Sequence, residues 1–355
     1  MAEKYVKVGG AWKPVLSEHV KVGGVWKNVV TNYVKVGGAW KPIEFEKLVF
    51  VCEQTSDRLY GLNDTPSDLT GWPLYGVTIS GPTDVACDQS GNSYWACSGS
   101  GVHKYTKAGA ESWIKSPASI GLSAPTAICV GVDGSVYVGD TVGTVVKLDS
   151  SGAVQWTHAF GATVYSIALD YSGGYLYVGL GGTKKEIHRS LASSGNSTRI
   201  LTVTSFGNVT GLAVVSGTPD LLIGTSGGYL MRWNSSGGYI WGNSGVFGTG
   251  DSVESVRAGH DGYVYASSSA GVIYKCAYAD RIVQWVYTGT GCATGLGVDV
   301  FGNVYAAWYV AGESTTANCV RKINKAGVLQ WTWRPYLNAQ MLGVCCNPGI
   351  MAAGM

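Results

Sequence analysis

One large aromatic recurs at nearly constant spacing along most of this chain, and that recurrence limits the fold more than any other feature. Trp72, Trp113, Trp156, Ile200, Trp241, Trp285 and Trp331 stand 41, 43, 44, 41, 44 and 46 residues apart. The clearest copy runs from Pro125-Thr-Ala-Ile-Cys-Val130 through Asp133-Gly134, Tyr137-Val-Gly139, Gly143 and Lys147-Leu-Asp149 to Gly152 and Trp156. Short runs of Val, Ile, Thr and Tyr separated by Asp-Gly, Val-Gly and Ser-Gly turns read as four antiparallel strands. One such unit cannot cover both of its faces, so copies must stack. Seven copies imply an all-β, seven-bladed propeller over residues 45–355. With 52 Gly, 21 Tyr and 13 Trp in 355 residues and only 14% charged, the composition excludes a helical bundle or a coiled coil.

Ring closure is legible as well. The stretch 49–72 matches the second, third and fourth strands of the repeat, and Met341-Leu-Gly-Val-Cys-Cys346 supplies its missing first strand. Pairing the two ends hides edge strands that would otherwise invite aggregation. The tail Gly349–Met355 could compete as a second strand. Across this closure a disulfide from Cys52 to Cys345 or to Cys346 is open.

Residues 1–44 follow a different period. Tyr5-Val-Lys-Val-Gly-Gly-Ala-Trp-Lys-Pro, His19-Val-Lys-Val-Gly-Gly-Val-Trp-Lys-Asn and Tyr33-Val-Lys-Val-Gly-Gly-Ala-Trp-Lys-Pro repeat every 14 residues. A Gly-Gly pair between two short β-prone runs is a two-residue hairpin signal, because primed turns need positive φ. Each copy is expected to be a small hairpin: Val6, Val8, Gly9, Gly10 and Trp12; Val20, Val22, Gly23, Gly24 and Trp26; Val34, Val36, Gly37, Gly38 and Trp40. Hairpins this short are marginal alone, so these residues are the candidate anchor, covering their apolar rows against a partner surface.

The net charge is only +2, which argues against phosphate-driven nucleic-acid binding. No apolar run approaches the length of a membrane span, and no secretory signal opens the sequence. Nine cysteines without CxxC spacing and five histidines give no metal site, and the odd count suits free thiols in a reducing compartment. There is no Gly-x-Ser-x-Gly elbow and no His-Glu-x-x-His. Glu53, Glu111, Glu186, Glu254 and Glu313 are scattered over separate blades, so paired-carboxylate chemistry has no evident site. A non-enzymatic protein without cofactor is the expectation. Two loops break the blade pattern and offer candidate ligand contacts: Lys184, Lys185, His188 and Arg189 in one, and Trp308 with Tyr309 at the start of the other. Trp95 and Trp333 also fall outside the repeated tryptophan position.

The sequences Lys147-Leu-Asp-Ser-Ser-Gly-Ala-Val-Gln-Trp156 and Lys322-Ile-Asn-Lys-Ala-Gly-Val-Leu-Gln-Trp331 resemble the repeat of quinoprotein-like (PQQ-repeat) β-propellers over about 310 residues. In that family Trp and Gly join neighbouring blades and are not catalytic; some members close adjacent cysteines, as Cys345-Cys346 would allow, over a quinone. The Val-Lys-Val-Gly-Gly-Xaa-Trp-Lys motif resembles a short repeat of tailed-phage structural proteins over about 40 residues. Together the two resemblances imply a virion protein, located in the particle. The N-terminal repeats would attach to other virion proteins and the propeller would be displayed for host-glycan adhesion, as a trimeric tail fibre or spike. The alternatives are a capsid decoration or head-fibre protein, a cytosolic interaction scaffold, or a quinoprotein-like enzyme or polysaccharide depolymerase.

Overall fold

In the computed structural model the described residues are 48–64, 66–69, 71–74, 79–170, 174–215, 218, 220–243, 251–310, 318–335 and 340–346, with six short strands before them. Those six pair two by two along the backbone: Tyr5–Val8 with Ala11–Pro14, His19–Val22 with Val25–Asn28, and Tyr33–Val36 with Ala39–Pro42. The Gly-Gly turns and the side chains of every candidate anchor residue lie outside the described residues, as does the tail 347–355.

The unit Lys47–Gly349 is a seven-bladed propeller. Six blades are antiparallel four-stranded meanders in chain order. Blade 1 runs from Pro82–Cys87 to Glu111–Lys115 and blade 2 from Pro125–Val130 to Val154–Ala159. Blade 3 runs from Val164–Leu169 to Ser197–Thr202, and blade 4 from Val209–Val214 to Tyr239–Asn243. Blade 5 runs from Val253–Ala258 to Val283–Thr288, and blade 6 from Cys292–Val298 to Leu329–Trp333. In each blade the first strand is innermost and lines a central channel. Second strands such as Ser93–Cys97 and Val136–Asp140 are buried along their whole length, since neighbouring blades cover both faces. The outermost strands are largely open.

The seventh, closing blade has the order Met341–Cys346, Leu48–Glu53, Arg58–Asn63, so the first and last strands of the propeller unit share one sheet. Cys345 stands opposite Phe50 and Cys346 opposite Val49, with a bulge between Met341 and Val344. The outer strand expected around Trp72 is reduced to two bridges, Leu59 with Leu74 and Leu62 with Asp68. Pro66 and Pro73 remove ladder donors there. The Cys52 staple is not formed. All nine cysteines are free, and the Cys52 Sγ instead accepts the Gly343 N–H at 3.0 Å.

The core sits between the blades, not within them. Seven apolar clusters each occupy one seam: for instance Val136, Val138 and Val146 of blade 2 pack against Tyr94, Ala96 and Val102 of blade 1. Each such buried side chain contributes roughly 1.5–3 kcal/mol. The repeated tryptophan adds a polar contact at the outer end of the seam. Its indole N–H donates to a carbonyl of the following blade: Trp72 to Lys107 at 3.0 Å, Trp113 to Ser150 at 3.1 Å, Trp156 to Ala192 at 3.0 Å. The series continues with Trp241 to Tyr278 at 2.7 Å, Trp285 to Lys325 at 3.0 Å and Trp331 to Asp64 at 2.9 Å. Beside it on the third strand lies a cation aimed at the same acceptor, as with Lys147 to Ala192 at 3.1 Å and Arg232 to Tyr278 at 2.6 Å. At the seam between blades 3 and 4, where Ile200 replaces tryptophan, Arg189 alone makes this link, to Ser235 at 3.2 Å.

Candidate functional site

Up-and-down strand order puts the second-to-third strand turns and the inter-blade connections on one face of the disc, and the remaining turns on the other. Both loops singled out in the sequence are second-to-third strand turns, so both belong to the same face. Their residues do not converge, however. On the blade 3 loop Gly182, Thr183 and Lys184 are exposed, and the Lys184 ammonium turns back to the Phe160 carbonyl. Lys185 is half-buried with φ 49°. His188 and Arg189 are neighbours on a strand and therefore point to opposite sides of the sheet. His188 Nε2 meets Glu186 at 3.0 Å and its ring packs on Phe160 of blade 2. Arg189 points the other way, into the seam with blade 4, and stacks on Tyr175 at 4.9 Å. These two hold blades together and are not open to a ligand.

The tryptophan candidates are corrected in the same way. Trp308 is 0% exposed; its indole N–H donates to Thr290 at 2.7 Å and the Arg321 guanidinium lies 4.2 Å over its ring. Trp95 is also fully buried, and Trp333 packs edge-on to Tyr60. The rule that large aromatics near rims are contact residues fails here because each fills a seam. Tyr309 is half-buried, and residues 311–317 of its loop lie outside the described residues.

The structure adds a site that motif reading missed. A cavity of about 500 Å³ runs along the axis between the innermost strands. Near its mouth, on the face that carries the two loops, one residue near the start of each innermost strand, the third in blade 6 and the second in every other blade, forms a belt. In four blades it is threonine, whose hydroxyl bonds the first residue of the next blade's innermost strand: Thr83 to Pro125 at 3.0 Å, Thr126 to Val164 at 2.6 Å, Thr210 to Val253, and Thr294 to Met341 at 2.7 Å. In the other three the belt carries Tyr165, Glu254 and Leu342. Tyr165 is 41% exposed, and its ring covers Gly181 so closely that a Cβ there would come within 2.3 Å of it. Burial pushes the Glu254 carboxyl above its usual range, against a lowering contact from Ser252.

Deeper in, the Asp84 carboxylate accepts the N–H groups of Val85 at 2.9 Å and Ile128 at 3.1 Å. Burial raises its pKa while the Arg257 charge, reaching over from blade 5, lowers it. At the level of Arg257 the lining is small or thiol-bearing, with Ala86, Cys129 and Cys345. Aligning the seven innermost strands would have exposed Tyr165, Glu254 and Arg257 as departures from a Thr and a small-residue column. Among the described residues no group of three or more His, Cys, Asp or Glu is placed to hold a metal ion.

No family model matches the chain, and neither does any curated protein. Among solved structures the chain is similar to the β-propeller domain of Myceliophteria thermophila Cps50 (Swd1), with a TM-score of 0.59 and 14% identity over 72% of this chain and 87% of that one. At that identity the likeness establishes the β-propeller fold and nothing finer.

Proposed function

We propose that the protein is a bacteriophage virion component whose 14-residue repeats attach it to the particle while the propeller is displayed for adhesion to host surface glycan, as a tail fibre or spike. What carries this reading is the union in one chain of three virion-type hairpin repeats and a propeller that closes on its own terminal strands. Such a ring is a rigid display platform that needs no partner to complete its core. The face bearing Tyr165 and the loop around Lys184 offers a flat aromatic surface with polar neighbours, the chemistry that sugar rings stack on and hydrogen-bond to. Single contacts of that kind are weak, and several copies on one particle gain by avidity.

The test is immunogold electron microscopy of phage particles with antibody raised against residues 45–355. Gold at tail tips or fibres supports the adhesin. Gold spread regularly over the capsid shifts the role to head decoration with the same attachment logic. Particles without gold overturn the virion reading and leave an interaction scaffold. Deleting residues 1–44 should remove the label from particles; if the label persists, attachment lies elsewhere.

A further inference from the structure

The channel holds a feature that the adhesion reading does not use. Cys87 ends the innermost strand of blade 1, and Cys345 lies on the closing strand that neighbours it around the axis. Both thiols line the cavity and both pack against the same apolar cluster at the seam between the closing blade and blade 1. They are near enough for the Cys87 side chain to bear directly on the Cys345 thiol. Cys52, the partner that sequence position suggests, is engaged with Gly343 instead. Cys346 turns to the other side of its strand, next to Gly297 of blade 6. The closing strand itself is held in its sheet only by pairing with Leu48–Glu53.

We infer that Cys87 and Cys345 form a redox-closed lock across the seam where the ring shuts, a disulfide installed through the channel by a low-molecular-weight disulfide. The balance is simple. The Cys87 thiolate attacks the small disulfide, forming a mixed disulfide and releasing one small thiol. The Cys345 sulfur then displaces the second small thiol and the Cys87–Cys345 bond forms. Two electrons pass to the reagent, and the two thiol protons end on its two released thiols. The order follows from the surroundings of Cys345. Burial, with Cys87 and Asp84 nearby, keeps that thiol protonated, so it acts second. Once formed, the bond makes the closure covalent between chain positions that enclose nearly the whole propeller, which restricts the unfolded chain strongly.

The experiment uses the full chain and 2-hydroxyethyl disulfide, a reagent small enough for the channel. Oxidised protein should lose two of its nine titratable thiols, and its melting temperature should rise by roughly 5–10 °C, reversed by a reductant. Cys87→Ala and Cys345→Ala should each abolish both effects, whereas Cys346→Ser should keep them. In the Cys346→Ser background, mass spectrometry of the proteolysed protein should find Cys87 and Cys345 in one linked pair. Circular dichroism of each variant before oxidation separates a lost thiol from a lost fold. Should a variant fail to fold, the linked peptide in the Cys346→Ser background decides alone. Loss of no thiols, a bond to Cys346 or Cys129, or unchanged oxidation in Cys87→Ala would overturn the lock.

Discussion

The indole N–H of Trp331 donates to the main-chain carbonyl of Asp64 at 2.9 Å, joining residues 267 positions apart. The Lys322 ammonium pairs with the Asp64 carboxylate, and the Tyr305 hydroxyl donates to it at 2.8 Å. Three donors from blade 6 thus converge on one residue of the closing blade. At this seam the chain's last complete blade grips the segment that follows its first strands. The relation repeats the Trp–carbonyl contact of the other seams, with a carboxylate added.

Trp331→Phe keeps most of the apolar contact and removes the donor, so it should cost about 1 kcal/mol in denaturant unfolding. Lys322→Met should cost a similar amount. Because both act through Asp64, the double variant should depart from additivity by at least about 0.5 kcal/mol. Strict additivity would mean that the two donors do not share a seam contact.

Two turn glycines, Gly237 between the third and fourth strands of blade 4 and Gly262 between the first and second of blade 5, give a second, sharper test. Gly237 and Gly262 share a φ of 83°, so alanine carries a similar left-handed strain of about 1 kcal/mol at either site. They differ in surroundings. A Cβ on Gly262 meets nothing within 4 Å, whereas on Gly237 it would lie 2.3 Å from the Ile200 carbonyl of blade 3. Gly237→Ala should therefore destabilise by about 1–2 kcal/mol more than Gly262→Ala in matched urea unfolding. Equal costs would show that the blades 3–4 seam, which lacks its tryptophan, is loose enough to yield.

Much of this architecture is written in local chemistry. The Trp and Gly columns are readable because each blade needs the same large donor and the same left-handed turn, so the signal recurs at fixed register. Blade number and ring closure follow from it. The channel was not readable by the same route. Its distinctive residues, Tyr165, Glu254 and Arg257, carry no motif; they matter only as departures from what the other blades place at the same level. Trp308 misled because a rim position in the sequence became a seam interior once the Gly289 side left room for its ring, a Cβ there coming within 2.7 Å. The outer strand of the closing blade was misjudged because tryptophan spacing marks the seam contact, while Pro66 and Pro73 decide the ladder.

His103 should dominate one part of the acid response. It is fully buried on the third strand of blade 1, with Nε2 2.8 Å from the Ser100 hydroxyl and Nδ1 3.4 Å from the Tyr105 hydroxyl. Burial drives its pKa down from 6.5 to about 4, only partly opposed by the Ser100 contact. The folded protein therefore keeps this ring neutral at pH values where the unfolded chain already protonates it. Stability from this group is complete above pH 6.5 and is lost as pH falls toward 4, amounting to about 2–3 kcal/mol by pH 4.5. Glu53 and Asp84 work in the opposite sense, since burial raises their carboxyl pKa values and the folded state takes up their protons first. The His103 contribution is isolated by comparing the protein with His103→Gln, which leaves those carboxyls in place. Measured by urea unfolding, the stability difference between the two proteins should shrink by about 2 kcal/mol on going from pH 7 to pH 4.5. A difference that stays constant would mean that His103 takes up its proton in the folded blade over the same pH range as in the unfolded chain, and that the buried Ser100–His103–Tyr105 arrangement tolerates charge.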